Sequence, residues 1–106
     1  MIEIRTFVGE DERAPFARWL AGLDRIARSR VAIALGRLED GNISQLKSLG
    51  DGVHELRITF GPGYRIYLGR EGVHLVILLW GGTKHRQSED IARAKRLWRA
   101  YLAQPD

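Results

Sequence analysis

Cysteine is absent from the sequence, and this absence excludes two classes of site. A chain without cysteine has no disulfide framework and no thiolate ligands for a metal. The three histidines also lack the H-x-x-x-H and H-E-x-x-H spacings of zinc sites; they are His54, His74 and His85. We therefore expect a cytoplasmic protein that needs neither a metal nor another cofactor.

Long apolar runs are missing as well. No segment approaches the roughly 20 apolar residues that a helix needs to cross a bilayer. The N-terminal residues 1–8 alternate in polarity like a strand and lack the form of a signal peptide. At 106 residues the chain suits one domain, so we expect a single domain over residues 1–106 with no membrane contact.

Lysine is scarce, whereas arginine is abundant. Only three of the 17 basic residues are lysine, which leaves 14 arginines against 13 acidic residues, and the pI is about 10.0. Arginine forms bidentate hydrogen bonds with phosphate and stacks on bases. The composition therefore favours a polyanionic partner, nucleic acid first, although solvated helix faces also produce such a balance.

Residues 53–80 predict three consecutive strands. These are Val53–Phe60, Tyr64–Leu68 and Val73–Trp80. The glycine-rich joints between them predict short turns, so the strands should form an antiparallel meander. The alternation of apolar and polar residues then places Arg57 and Arg65 on the same face of the sheet, which we expect to be a wet face.

The rest of the chain predicts one more strand and three helices. The strand covers residues 2–8, and the helices cover about 12–23, about 25–40 and a segment that begins at the N-cap Ser88 and includes Tyr101. Residues 43–52 and 81–87 read as loops. We predict an α+β fold of order β-α-α-β-β-β-α with a four-stranded, mainly antiparallel sheet. Two N-terminal helices should cover one face, and the C-terminal helix the other face or an edge.

One group of basic residues lies at the predicted strand ends and in the loop after the last strand. Its members are Arg57, Arg65, Lys84, His85 and Arg86. Such a cluster suits an RNA backbone, and RNA is cut without a metal when its 2′-hydroxyl attacks the adjacent phosphate. The reaction needs cations for the developing charge, a proton acceptor and a proton donor. His85, whose charged form the neighbouring cations disfavour, and Glu55 are candidates for the proton roles. A basic patch that binds without chemistry and an ordinary exposed loop histidine remain open alternatives.

Four segments in order resemble the addiction-module killer proteins of bacteria and phages, on the HigB-like side of the RelE/ParE toxin superfamily. These segments are Val53–Ile58, Gly61–Tyr67, Leu78–Lys84 and Gln87–Lys95. The resemblance implies a RelE-like type II toxin that inhibits translation by cutting mRNA on the ribosome. It also implies a neutralising antitoxin, of helix-turn-helix type and encoded by the neighbouring gene, with operator DNA bound only through the toxin–antitoxin complex. The ParE branch shares the fold but poisons DNA gyrase, so gyrase inhibition is the alternative.

The resemblance also assigns roles to individual residues. Arg65 matches the arginine with which RelE-like toxins stabilise the phosphate in the transition state. Arg57 matches a basic strand residue of the same face, and Lys84 matches the basic residue after the last strand. Glu55 stands where some relatives carry a catalytic lysine, and Ile91 where some carry an acid–base residue in the last helix. The proton acceptor is therefore left open between Glu55 and His85.

Overall fold

The computed structural model describes residues 1–105, which form one five-stranded sheet and three α-helices. In chain order the elements are β1 Glu3–Thr6, α1 Pro15–Ala21, α2 Arg25–Glu39, β2 Leu46–Gly50, β3 Val53–Ile58, β4 Tyr64–Glu71, β5 Leu75–Thr83 and α3 Gln87–Ala103. The α+β class is confirmed, whereas the predicted four strands and the order β-α-α-β-β-β-α are wrong. The observed order is β-α-α-β-β-β-β-α.

The sheet is mixed, with the strand order β1-β5-β4-β3-β2. The pairings β2–β3, β3–β4 and β4–β5 are antiparallel, and β1 pairs with β5 in parallel. The predicted meander is confirmed as β3, β4 and β5. Its last strand lies inside the sheet, which explains why that strand is apolar on both faces.

The additional strand, β2, falls in residues 43–52, which the sequence predicted as a loop. It is an edge strand, and its register shifts between Ser48 and Gly50. The two leucines of β2 pack on opposite faces of the sheet, Leu46 with the α2 side and Leu49 with the α3 side. Because a short edge strand with an irregular register shows no clean alternation, its pattern resembles that of a loop.

A β-bulge changes the course of β5. Tyr67 pairs with Trp80 whereas Leu68 pairs with Leu78, so Leu79 is an extra residue on the bulged strand. Leu79 and Trp80 consequently both pack on the α3 side of the sheet.

Beyond the bulge, β5 continues to Thr83, so the predicted loop over residues 81–87 is wrong. A 3₁₀ turn over Lys84–Arg86 then leads directly into α3, which begins at Gln87. Ser88 therefore lies inside the first turn of the helix and is not its N-cap. This continuous path fixes Lys84 at the end of an interior strand.

The helices lie on opposite faces of the sheet, as one of the two predicted arrangements had it. The first core joins α1 and α2 to one sheet face and contains Phe16, Ala27, Val31, Leu38, Leu56, Ile66 and Leu68, among others. The second joins α3 to the other face and contains Val53, Tyr67, Ile77, Leu79, Ala94 and Trp98, among others. Each fully buried aliphatic side chain contributes about 1.5–3 kcal/mol, so both faces supply substantial stability.

Helix α1 is shorter than the predicted helix over residues 12–23. Glu12 has φ 63°, a left-handed conformation that cannot belong to a right-handed helix. Pro15 lies in the first turn, where its missing N–H costs nothing. Within residues 1–105, none of the helices has the length and apolarity that crossing a bilayer demands.

Candidate nucleic-acid interface

A surface groove of about 360 Å³ lies beside the turn between β3 and β4. Its charged lining consists of Arg57, Arg65 and Lys84. Arg57 and Arg65 are direct cross-strand neighbours on β3 and β4. Lys84 follows the adjacent strand β5, whose residue Gly82 pairs with Arg65. The structure therefore brings together three of the predicted cations, because three neighbouring strands end or turn at the same edge.

The glycine-rich turn 61–63 forms one wall of this groove. Gly61 and Gly63 have φ 57° and 81°, which residues with a side chain rarely adopt. A Cβ atom at Gly63 would lie 3.7 Å from the Cδ atom of Lys84. The aliphatic stem of Lys84 thus runs close to the turn backbone, which keeps this lysine at the groove.

Glu55 lies at the inner end of the two arginines, and its side chain is only 1% exposed. Its Oε2 atom is 3.4 Å from Nε of Arg57, and its Oε1 atom is 3.5 Å from Nε of Arg65. Gln87 at the start of α3 donates a hydrogen bond from Nε2 to Oε1 at 3.3 Å. The two arginine contacts are ion pairs without hydrogen-bond geometry, since Glu55 Oε2 and Arg65 Nε have no hydrogen-bond partner in residues 1–105.

The exposure of the two arginines differs from the prediction of a wet face. The side chain of Arg57 is 54% exposed, whereas that of Arg65 is only 12% exposed. Helix α3 packs on this face of the sheet, and its first turn closes over the Glu55 end. Arg65 is therefore a largely buried cation with a buried counter-charge, and Arg57 is the outer of the pair.

A buried polar layer continues from Glu55 beneath the first turn of α3. Tyr67 is the cross-strand neighbour of Glu55, and its buried hydroxyl has no hydrogen-bond partner in the described residues. Burial, with further contributions from the carboxylates of Asp90 and Glu55, raises the pKa of Tyr67 to about 12. The hydroxyl is therefore protonated at neutral pH.

Asp90 completes this layer from the helix side. Its Oδ1 atom accepts a hydrogen bond from Nε1 of Trp80 at 3.1 Å. A Cβ atom at Gly82 would lie only 2.0 Å from its Oδ2 atom, so this approach needs glycine. The sequence alone identified Asp90 only as an acid at a helix N-terminus. The available signal for its contact was Gly82, because a glycine inside a strand often marks a close approach. Without the bulge in β5, however, the sequence could not show that Gly82 faces α3.

His85 and Arg86 do not line the groove. Both are exposed in the 3₁₀ turn, and Arg86 Nη2 forms an ion pair with Glu89 Oε2 at 2.7 Å. The structure therefore separates these two candidates from Arg57, Arg65 and Glu55. His85 is therefore exposed, as one alternative predicted, but it lies in a 3₁₀ turn and not in a loop.

A larger cavity of about 960 Å³ lies elsewhere, between α1 and α3. Its lining mixes charges, with three arginines and the acids Glu10 and Asp11, and Asp11 pairs with Arg13 at 3.8 Å. Mixed charge suits a polyanion poorly, so the smaller groove is the better candidate for one. In the described part of the chain, no three His, Asp or Glu side chains are grouped so that they could hold a metal ion.

The comparisons with known proteins give one family relation. An uncharacterized protein of Haemophilus influenzae is 45% identical to the chain over 83 residues, which span 77% of this chain and 84% of the relative. The chain belongs to the family of this protein. A scan against models of protein families gives no match. Because the description of the relative states no activity, the function has to be argued from the residues.

The groove has the parts for binding and polarising a phosphate. Arg57, Arg65 and Lys84 can offset the charge of a phosphodiester, and more strongly that of a pentavalent phosphorane. Glu55 is the buried carboxylate closest to these cations. Its side chain is 1% exposed, and its Oε2 atom has no hydrogen-bond partner within residues 1–105. The arrangement therefore suits anion binding, with one buried carboxylate next to the bound anion.

Proposed function

We propose that the protein is the toxin of a type II toxin–antitoxin module, of the RelE/ParE superfamily, and that it inhibits translation by cutting mRNA on the ribosome. The observation that carries the proposal is the groove in which Arg57, Arg65 and Lys84 converge over the buried Glu55. The resemblance of four segments of the chain to HigB-like toxins supports the same reading. The protein would act in the cytoplasm as an endoribonuclease.

The proposed reaction is a transesterification that needs no metal. The 2′-oxygen of one nucleotide attacks the adjacent phosphorus, a new P–O2′ bond forms, and the P–O5′ bond breaks. A base takes the proton of the 2′-hydroxyl, and the leaving 5′-oxygen takes a proton from water. The products carry a 2′,3′-cyclic phosphate and a 5′-hydroxyl.

Arg65 would stabilise the phosphorane, with Lys84 and Arg57 holding the non-bridging oxygens. A lost donor of this kind costs about 100-fold to 1,000-fold in rate. Glu55 is the preferred base, because it contacts both arginines while His85 lies outside the groove lining. Proton transfer by a positioned side chain contributes about 100-fold to 10,000-fold.

The partners that follow from the proposal are the ribosome, mRNA and a cognate antitoxin, of helix-turn-helix type and encoded by the neighbouring gene. The antitoxin would carry acidic side chains to the groove, because carboxylates satisfy exposed guanidinium groups as phosphates do. Operator DNA would be bound only through the complex of the two proteins.

The test is cleavage of mRNA on purified translating ribosomes. Arg65→Ala should lower the cleavage rate about 100-fold or more. Arg96→Ala is the matched control, because Arg96 is exposed on α3 and lies outside the groove. The melting temperatures of both variants should also be measured, because removing Arg65 leaves the buried Glu55 with fewer partners and can lower stability.

The chemistry of the cut ends tests the reaction separately. The wild-type protein should leave 2′,3′-cyclic or 3′-phosphate ends. Cleavage with 3′-hydroxyl ends would contradict transesterification and indicate hydrolysis by an activated water. Intact mRNA, together with a DNA damage response in cells that overproduce the protein, would contradict the proposal and favour gyrase inhibition.

A further inference from the structure

A second groove adjoins the candidate interface. It has a volume of about 400 Å³ and lies between α2 and the end of β3. Residues 57–60 line both grooves, so the two share a wall at the C-terminal end of β3. The linings of the two grooves therefore meet at this strand end.

All the charged residues in the linings of the two grooves are cationic. The second groove adds Arg30 and Arg37, which are seven residues apart on α2 and so lie on the same side of the helix. Neither lining contains an aspartate or glutamate. Arg30 and Arg37 form no ion pair within residues 1–105. Two cations without counter-charges thus extend a site that already holds three.

An aromatic ring stands where the two grooves meet. The guanidinium carbon of Arg30 lies 4.7 Å from the ring centroid of Phe60. Arg30 is exposed and Phe60 is half-buried against the first core. A guanidinium group held over a ring is a surface on which a nucleobase can stack.

We infer that the two grooves form one path for single-stranded RNA. The strand would run from Arg65 and Lys84, past Arg57, to Arg30 and Arg37 on α2, with one base stacked at Arg30 and Phe60. This inference rests on the proposed function and adds the course of the substrate beyond the cleaved phosphate. A surface for base stacking lies between two groups of cations that can each bind phosphate. This arrangement favours RNA over an acidic protein segment, because RNA carries a planar base beside every phosphate.

The experiment measures binding without cleavage. The probe is a fluorescently labelled 2′-O-methyl oligonucleotide of about ten nucleotides, whose blocked 2′-oxygens cannot attack. Anisotropy titrations between about 50 and 200 mM salt give the slope of log K against log salt concentration. Each phosphate contact on a single strand contributes about −0.7, so five contacts predict a slope of about −3.5.

The α2 arginines are tested together with a matched pair. Arg30→Gln/Arg37→Gln should weaken binding and reduce the magnitude of the slope by about 1.4. Arg96→Gln/Arg99→Gln removes the same charge from exposed positions of α3 outside both grooves and should leave the slope unchanged. Melting temperatures should match across the variants.

Stacking is tested by Phe60→Leu. At a fixed salt concentration it should lower affinity about fivefold or more, without changing the slope. An unchanged affinity would overturn the stacking part of the inference.

Three results overturn the path, and they separate it from the proposed function. If the wild-type slope depends on Arg57 and Lys84 but not on the α2 pair, the path ends at the first groove and the proposed function stands. If the wild-type protein does not bind the RNA, the path is wrong, whereas the proposed function is still decided by cleavage on translating ribosomes. If a labelled polyglutamate peptide of equal charge binds more tightly than the RNA and loses affinity in the α2 variant, these arginines serve an acidic protein partner.

Discussion

Replacement of Glu55 by glutamine is the perturbation that tests the candidate site most directly. The change keeps the size of the side chain and an acceptor for Gln87, and it removes only the charge. Glu55 is 1% exposed and lies 3.5 Å from Arg65, which is itself 12% exposed. The variant therefore leaves a largely buried guanidinium without its buried counter-charge.

The magnitude follows from the distances and the burial. Two charges about 4 Å apart attract by about 4 kcal/mol where the effective dielectric constant is about 20. The lower cost of burying a neutral amide returns part of this, because the carboxylate of Glu55 no longer has to be desolvated. The pair with Arg57 adds little, since that side chain is 54% exposed. We expect Glu55→Gln to lower the free energy of unfolding by about 1–3 kcal/mol.

The assay combines urea unfolding with the pH dependence of cleavage. If Glu55 accepts the proton, the variant should lose about 100-fold to 10,000-fold in rate and also the acid limb of the pH–rate profile. If Glu55 only positions Arg65, the rate falls but the acid limb persists. Glu89→Gln is the matched control, because the Glu89 side chain is 71% exposed in its pair with Arg86. Wild-type stability and rate in Glu55→Gln would refute the reasoning on both counts.

Two further predictions concern stability away from the groove. Gly69→Ala would place a Cβ atom 2.2 Å from Cε3 of Trp98, well inside the usual 3.5–4.0 Å between carbon atoms. The free energy of unfolding in urea should therefore fall by about 1–3 kcal/mol. A Trp98→Leu background should reduce this loss, and an equal loss there would contradict the clash. Burial, above all, lowers the pKa of His54, so as the pH falls through about 6.5 the unfolded chain takes up a proton at this histidine before the folded chain does. The free energy of unfolding should therefore decline below that pH. His54→Gln should flatten the decline and His74→Gln, at an exposed position, should not; an unaltered decline in His54→Gln would disprove the assignment.

The meander was predictable because each of its signals is local. Alternation over β3 and the glycine-rich turn at residues 61–63 fix which side chains share a face, and this was enough to pair Arg57 with Arg65. The helices were recognisable from their apolar spacing for the same reason. What the sequence could not supply was the parallel pairing of β1 with β5, since no local pattern joins strands about seventy residues apart.

The burial of the site was also beyond sequence reasoning. Arg65 was expected in solvent because the alternation of a strand identifies a face but not what covers it. That cover depends on α3, whose start depends in turn on the bulge at Leu79 and the 3₁₀ turn after Thr83. The same omission hid the contact of Gln87 with Glu55. The predicted end of β5 was wrong by a few residues, and for this reason the sequence did not show that Arg65 is buried or that Gln87 contacts Glu55.

Hydrogen bonds hold both ends of α3, but the far end also carries the buried indole of Trp98, and this difference separates stability from the site. At the far end, Trp98 packs so closely over Gly69 that only glycine fits beneath it. At the groove end, the helix is held by directional contacts, from Trp80 to Asp90 and from Gln87 to Glu55. Loss of one such hydrogen bond costs about 1 kcal/mol, much less than loss of a buried aromatic ring. Changes in the polar contacts should therefore alter the groove while the domain stays folded, whereas changes beneath Trp98 should unfold the domain before they reach Arg65.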